Sequence, residues 1–176
     1  MTEAPRSTTG DESPAISPFL ETMPEPVAAR LDEVLQPDEE VRVRVTADLM
    51  DGGEYGSRWL VLTDRRLFSL SPGDGDGLVQ LPLDQVGEVR TLELVGGGQL
   101  EVDRREEAPL TWRYSGSLVP RFVEVAAGIR QLAKQETLTL PTEIERTRCD
   151  QCGRFLPEKD GLCPFCIRKW DTLKRI

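Results

Sequence analysis

The sequence predicts a mainly β (α+β) fold, in which a seven-stranded barrel is closed by one C-terminal helix and followed by a small cysteine-based module. Three observations support this. From Val41 onward the apolar period becomes two, and seven short strand-like segments follow, separated by glycine- and aspartate-rich turns. After the seventh segment, apolar residues recur every three or four positions, which is the period of a helix. All four cysteines of the 176-residue chain lie beyond residue 148, in two Cys-x-x-Cys pairs.

The N-terminal segment, residues 1–22, is rich in proline, serine, threonine and acidic residues and poor in apolar ones. This composition predicts a disordered tail. A short helix is predicted over residues 24–36, because Pro26 suits a first helical turn and Pro37 ends the pattern. Its apolar residues share one face: Val27, Leu31, Val34 and Leu35. The acids of residues 38–40 predict a solvated corner rather than a divalent-ion site, since they lack the spacing of a calcium loop.

Val41–Leu49 is the clearest strand, because valine, alanine and leucine alternate there with arginine, threonine and aspartate. Pro82 marks an edge strand or a strand end, since proline donates no hydrogen bond to a ladder. The other six strands are predicted at Trp59–Thr63, Leu67–Leu70, Leu78–Leu83, Gly87–Leu94, Gln99–Asp103 and Leu110–Tyr114. The large aromatic side chains predicted to fill the core are Trp59, Phe68 and Trp112.

One amphipathic helix follows the strands, with Ser117 as its predicted cap. Its apolar stripe consists of Leu118, Phe122, Val125, Ile129 and Leu132. A helix with such a stripe can close the open end of a strongly bent sheet. We therefore expect a domain over residues 24–136, a linker over 137–147, a cysteine module over 148–167 and a basic amphipathic tail over 168–176.

Seven closely spaced strands followed by one helix resemble, in their order, a pleckstrin-homology-like domain. The hairpin Trp59–Leu70, WLVLTDRRLFSL, is similar to a hairpin of bacterial members of that family. The resemblance spans residues 31–134. Some eukaryotic members bind phosphoinositides, so the resemblance implies an anion or lipid contact at Arg65 and Arg66. The alternative, which neighbouring acids favour, is a solvated turn in which these arginines pair with Asp64 or a loop acid.

The two Cys-x-x-Cys pairs are typical of a zinc ribbon. Four thiolates at this spacing suit one tetrahedral Zn²⁺, and the short segment between the pairs is too small for an apolar core of its own, so the metal would supply folding free energy. Because all four positions would be filled by protein, the site is predicted to be structural. Two disulfides, a redox pair, or iron in place of zinc remain alternatives. The predicted ligands are Cys149, Cys152, Cys163 and Cys166.

Composition and motifs exclude several classes of function. The formal net charge is −9, which argues against nucleic-acid binding by the chain as a whole. The chain contains no histidine, and no serine, threonine or cysteine lies in a recognisable catalytic motif, so we expect no enzymatic activity and infer no small-molecule substrate. We find no secretion signal and no apolar stretch long enough to cross a bilayer, and paired cysteines then fit a reducing cytosol.

The C-terminal segment is basic although the chain is acidic: residues 146–176 carry eight basic and four acidic side chains. Basic residues beside an interfacial tryptophan are typical of the cytoplasmic flank of a membrane. We expect this group to contact a partner or an anionic membrane surface. The group consists of Arg168, Lys169, Trp170, Lys174 and Arg175.

The order of domain, ribbon and basic segment resembles the N-terminal cytosolic extension of certain bacterial ABC exporters, on the matching stretches Cys149–Glu158 and Gly161–Cys166. The resemblance implies a non-catalytic regulatory or docking module at the inner face of the cytoplasmic membrane, with an exporter as partner. Any ATPase activity would then belong to a longer protein. The alternative is a free-standing soluble adaptor that binds a protein or nucleic acid through the ribbon and tail. A third hypothesis is a lipid sensor that uses Arg65 and Arg66.

Overall fold

The computed structural model describes residues 17–72, 77–144 and 147–156, together with Cys163 and Cys166. Within these residues the helices are α1 (Glu25–Asp32) and α2 (Val119–Ala133); neither has the length and apolar character needed to cross a bilayer. The strands are β1 (Val41–Leu49), β2 (Tyr55–Thr63), β3 (Arg66–Leu70), β4 (Leu78–Pro82), β5 (Val86–Leu94), β6 (Gly97–Arg104) and β7 (Leu110–Ser115). Short 3₁₀ turns, Leu83–Gln85 and Gly116–Leu118, precede β5 and α2.

All seven strands belong to one antiparallel sheet, in the order β4-β3-β2-β1-β7-β6-β5. β1 and β7 join the two halves of this sheet through the pairing of Leu49 with Arg113. The chain therefore forms two meanders, and α2 follows the last strand. This architecture confirms the predicted fold class. Pro82 ends β4, which is an edge strand, in agreement with the expectation for a proline at this position.

The main core lies between the sheet and α2. Each of the seven strands contributes at least one side chain to it, which requires the sheet to curve around a common centre. Tyr114 stacks on Phe122 of α2, with 4.1 Å between ring centroids. Trp112 is fully buried and donates its indole N–H to the carbonyl oxygen of Trp59 at 3.3 Å. Trp59, Phe68 and Trp112 are buried as predicted, at 5%, 0% and 0% exposed, but only Trp112 belongs to the main core. Trp59 and Phe68 belong to a second cluster on the other face of the sheet.

A second apolar cluster lies on the other face of β2 and β3, where α1 packs. Successive residues of β2 alternate between the two clusters: Leu60 and Leu62 belong to the main core, and Trp59 and Val61 contact the cluster around α1. This strand is therefore buried on both faces, which explains its continuous apolar run. The short helix is held in place by packing rather than by its intrinsic stability.

The prediction of a disordered tail is wrong for residues 17–22. Phe19 is 1% exposed and lies in the main core. Its carbonyl oxygen accepts the N–H of Arg44 at 2.7 Å, and the N–H of Glu21 donates to the Arg44 carbonyl oxygen at 2.8 Å. Burial of one large aromatic ring thus anchors a polar segment alongside β1. Residues 1–16 of the predicted tail lie outside the described residues.

Most element boundaries differ from the prediction by a few residues, and β2 begins at Tyr55, four residues before the predicted Trp59. α1 ends at Asp32 rather than at residue 36. The chain forms a turn there, because the Leu31 carbonyl oxygen accepts the N–H groups of both Val34 and Leu35. β6 begins at Gly97, where a turn was expected. The ring of Tyr114 lies against this strand so closely that a Cβ atom on Gly98 would come within 2.6 Å of it, so glycine is the residue that fits.

α2 begins without the predicted serine cap. Leu118 occupies the cap position and makes no side-chain hydrogen bond, while the hydroxyl of Ser117 lies 3.0 Å from that of Ser115. The predicted linker is anchored to the domain, because several of its apolar residues pack against the main core. These are Leu138, Leu140 and Ile144. The division of the chain into domain, linker and module stays a prediction.

Candidate metal centre

The first Cys-x-x-Cys pair lies in a tight hairpin formed by residues 147–156. Arg148 and Phe155 form an antiparallel bridge, and the N–H of Leu156 donates to the Thr147 carbonyl oxygen at 2.9 Å. At the tip, the N–H of Gly153 donates to the Cys149 carbonyl oxygen at 2.8 Å. Gly153 has φ +69°, a left-handed conformation that glycine adopts without steric cost. The hairpin therefore points both thiols of the pair to the same side of the turn.

The structure brings all four predicted ligands together. Their Sγ atoms lie within 4.8 Å of one another. The Sγ atoms of Cys149 and Cys166 are 3.8 Å apart, and those of Cys152 and Cys163 are 3.6 Å apart. A tetrahedral zinc ion with Zn–S bonds of about 2.3 Å requires S–S separations of about 3.8 Å. The donor set and its spacing thus fit one tetrathiolate-bound metal ion, and the four thiols are too far apart to be disulfides.

The electrostatics of the cluster favour a cation. The backbone N–H groups of Gln151 and Cys152 lower the pKa of Cys149 to about 7. Burial, followed by the neighbouring thiols, raises the pKa of Cys166 to about 12. Four sulfurs this close therefore cannot all ionise unless a positive charge lies between them. A divalent ion would supply that charge and deprotonate the remaining thiols.

Side chains around the hairpin support its shape. The Arg148 guanidinium lies over the Phe155 ring, 4.4 Å from its centroid, which is a favourable cation–π contact. Leu156 and Cys163 are 8% and 9% exposed. Leu156 of the hairpin and the ligand Cys163 are thus both turned away from solvent.

Arg65 and Arg66, the predicted anion or lipid contacts, are both engaged by carboxylates. Arg65 donates two hydrogen bonds to Asp38, at 2.5 and 3.2 Å. Arg66 pairs with Glu39 and donates to the side-chain oxygen of Gln80 at 2.7 Å. An anion at this turn would have to compete with two acids, so the geometry favours the alternative in which the arginines are structural. Lipid contact here stays a prediction.

Glu39 departs from the solvated corner that the sequence predicted. Its side chain is 0% exposed, although Asp38 beside it is largely exposed. Thr63 donates its hydroxyl to Glu39 at 2.6 Å, so the carboxylate is held by β2 as well as by Arg66. A buried carboxylate requires such partners. Sequence alone gives no sign of this, because the three consecutive acids look alike.

The basic group of the C-terminal tail lies outside the described residues. Arg168, Lys169, Trp170, Lys174 and Arg175 therefore remain predicted contacts for a partner or membrane.

The comparisons with known proteins concern the fold. No family model matches the chain, and no curated protein matches it. It is similar to the solved structure of a DUF1696 family protein with a pleckstrin-homology domain from Shewanella loihica, at 15% identity and a TM-score of 0.46, over 62% of this chain and 98% of that one. It is also similar to a pleckstrin homology domain from Shewanella amazonensis, at 18% identity and a TM-score of 0.36, over 51% and 80% of the two chains. The fold assignment rests on the strand order and the C-terminal helix of this chain itself.

Proposed function

We propose that this protein is a non-catalytic docking or regulatory module whose C-terminal part is held together by one structural Zn²⁺. The observation that carries the proposal is the cluster of four Sγ atoms, which has the spacing of a tetrathiolate site. Four protein ligands complete the coordination of zinc and leave no position for an activated water. The metal would therefore fix structure rather than perform chemistry.

The role of the metal follows from the elements that it would connect. It would tie the hairpin of residues 147–156 to Cys163 and Cys166, which lie further along the chain. The hairpin faces the domain, since Phe155 and Cys163 line the same cavity as Leu94 of β5 and Val123 of α2. Zinc would thus hold a small module against one side of a pleckstrin-homology-like domain and give a partner a single rigid surface.

The test combines metal content with proteolysis. Protein purified without added metal should contain one zinc per chain by elemental analysis, and Cys152→Ser should lose it. Gln151→Ser is the matched control, because this exposed residue lies in the same turn and contributes no side-chain ligand. A chelator should expose the cysteine module to protease before the domain. Equal zinc content in Cys152→Ser and Gln151→Ser would contradict the proposal.

The partner and location are proposed from the exporter resemblance and the basic tail. We infer that the module belongs to the inner face of the cytoplasmic membrane, beside an exporter. Flotation with vesicles containing anionic lipid should recover the chain, and reversing the tail charges at Arg168, Lys169, Lys174 and Arg175 to glutamate should abolish recovery. Unchanged recovery would show that the tail does not mediate membrane contact.

Salt-sensitive retention of DNA or RNA in a gel-shift assay would favour the alternative of a soluble adaptor.

A further inference from the structure

A cavity of about 440 Å³ lies between the domain and the cysteine module. Its apolar wall is built from β5, the start of α2 and the hairpin. The main apolar contributors are Leu92, Leu94, Val119, Val123 and Phe155. Cavities of this size and character are typical of sites for small organic ligands.

The cavity wall also carries the hydroxyl group of Tyr114. Tyr114, which is 1% exposed, lines the cavity, and a Cβ atom on the lining residue Gly98 would lie 2.9 Å from the tyrosine hydroxyl oxygen. Among the described residues, none forms a hydrogen bond with this hydroxyl. Burial raises the pKa of Tyr114 well above its usual value, so the phenol stays protonated and is a hydrogen-bond donor. Water or a ligand oxygen in the cavity can accept the hydrogen bond of this hydroxyl.

The polar rim argues against a strongly charged ligand. Glu93 and Arg154 both line the cavity, so neither sign of charge dominates there. The cavity lining therefore favours an uncharged ligand with one hydrogen-bond acceptor.

We propose that the cavity binds an uncharged, mainly apolar molecule that presents a carbonyl or ether oxygen to the Tyr114 hydroxyl. The apolar body would contact Leu94, Val123 and Phe155, and the oxygen would accept the phenolic hydrogen bond. This ligand site goes beyond the docking role. The part of the cavity wall that the domain supplies needs no metal. The part that the cysteine module supplies rests on the proposed zinc site.

Zinc and ligand binding should then be coupled. Phe155 and Cys163 belong to the module that zinc would order, and both line the cavity. Removing zinc would release this wall, so ligand affinity should fall by about tenfold. By the same linkage, the ligand should tighten zinc binding by an equal factor.

The test uses two neutral fluorescent probes with the 176-residue chain: Nile red, which carries a carbonyl oxygen, and pyrene, a hydrocarbon. Both should bind saturably. Val123→Trp should fill the cavity and weaken both by at least about tenfold, whereas Val95→Trp should change neither, because Val95 is 95% exposed and does not line the cavity. Tyr114→Phe should weaken Nile red alone, by about two- to tenfold. Tyr55→Phe, at a tyrosine that is 84% exposed, is its control.

The outcomes separate this inference from the proposed zinc site. Absence of saturable binding to the 176-residue chain, for instance because another segment fills the cavity, would overturn the inference. So would equal affinities in Val123→Trp and Val95→Trp, or an equal loss of both probes in Tyr114→Phe. Probe binding that depends on Val123 in a protein that contains no zinc would support the ligand site and contradict the metal proposal alone.

Discussion

The carboxylate of Glu39 and the guanidinium of Arg66 form an ion pair from which solvent is almost entirely excluded. Their side chains are 0% and 15% exposed. The same Glu39 oxygen accepts the Thr63 hydroxyl at 2.6 Å and the Arg66 Nε–H at 3.1 Å. Arg66 also lies over the ring of Phe68, 4.9 Å from its centroid. The pair thus joins the segment after α1 to the β2–β3 hairpin, and its loss should be felt by the whole domain.

Arg66→Ala should destabilise the domain by about 3 kcal/mol, because it leaves the Glu39 carboxylate buried without its charged partner. Urea unfolding followed by tryptophan fluorescence measures this change. Arg65→Ala is the matched control: its Asp38 pair is exposed, so this substitution should destabilise the domain much less. Equal effects of the two substitutions would mean that the Glu39–Arg66 pair stabilises the domain no more than the exposed Asp38–Arg65 pair does.

The stability of the domain should decrease in acid because of Glu39. Burial acts to raise its pKa, but hydrogen bonds from Arg66, Thr63 and the Gln36 backbone hold it below the usual 4.5. A carboxyl group whose pKa is lower in the folded state stabilises that state above the unfolded pKa and loses this contribution as pH falls through the folded one. The free energy of unfolding should therefore decrease below about pH 4.5.

Glu39→Gln tests the assignment of this acid effect. The variant should be less stable than the wild type at neutral pH and should have a flatter pH profile below pH 4.5, the usual pKa of the lost carboxyl group. Glu33→Gln, which changes an exposed acid near α1, should retain the wild-type profile. If the free energy of unfolding of Glu39→Gln decreased below pH 4.5 as steeply as that of the wild type, the acid effect would belong to other carboxylates.

Phe19→Ala should destabilise the domain by about 3 kcal/mol, because the ring is fully buried in the main core and its removal leaves a cavity. Leu20→Ala, at the neighbouring half-buried position, should cost clearly less. Thermal unfolding of both variants measures the difference. A Phe19→Ala variant as stable as the wild type would return residues 17–22 to the disordered tail that composition predicts.

Gly98→Ala should destabilise the domain by about 1 to 3 kcal/mol, because the added methyl group would overlap the Tyr114 ring, which is fixed by stacking on Phe122. Gly116→Ala is a milder control, since the nearest atom to its added Cβ is 3.3 Å away. Chemical denaturation should rank the two. The reverse order would mean that Tyr114 can move, which would also weaken its assignment as a fixed hydrogen-bond donor in the cavity.

The fold could be predicted largely because its signals are local. A period of two in β1 and a continuous apolar run in β2 each define a strand before any tertiary contact is known. The same holds for the cysteines, whose spacing alone indicates a common metal site. Phe19 was missed because one aromatic residue in a polar segment has no periodic partner. Its burial depends on where the segment meets β1.

The remaining features depend on residues that only the fold brings together. Asp38 and Glu39 are adjacent acids, yet one is exposed and the other buried, because only Glu39 lies within reach of Thr63 and Arg66. The cavity combines β5, α2 and the cysteine hairpin, which are distant in sequence. Tyr114 was predicted as the end of a strand, and its position at the cavity wall becomes visible only in the folded structure.

We propose that Cys149, Cys152, Cys163 and Cys166 hold one structural zinc ion. Zinc K-edge X-ray absorption of protein purified without added metal measures the ligands of such an ion. The expected result is one zinc per chain with four sulfur neighbours at about 2.3 Å and no oxygen or nitrogen ligand. Fewer than four sulfurs would indicate an open coordination site and a different chemistry, and absence of bound metal in protein with free thiols would contradict the claim.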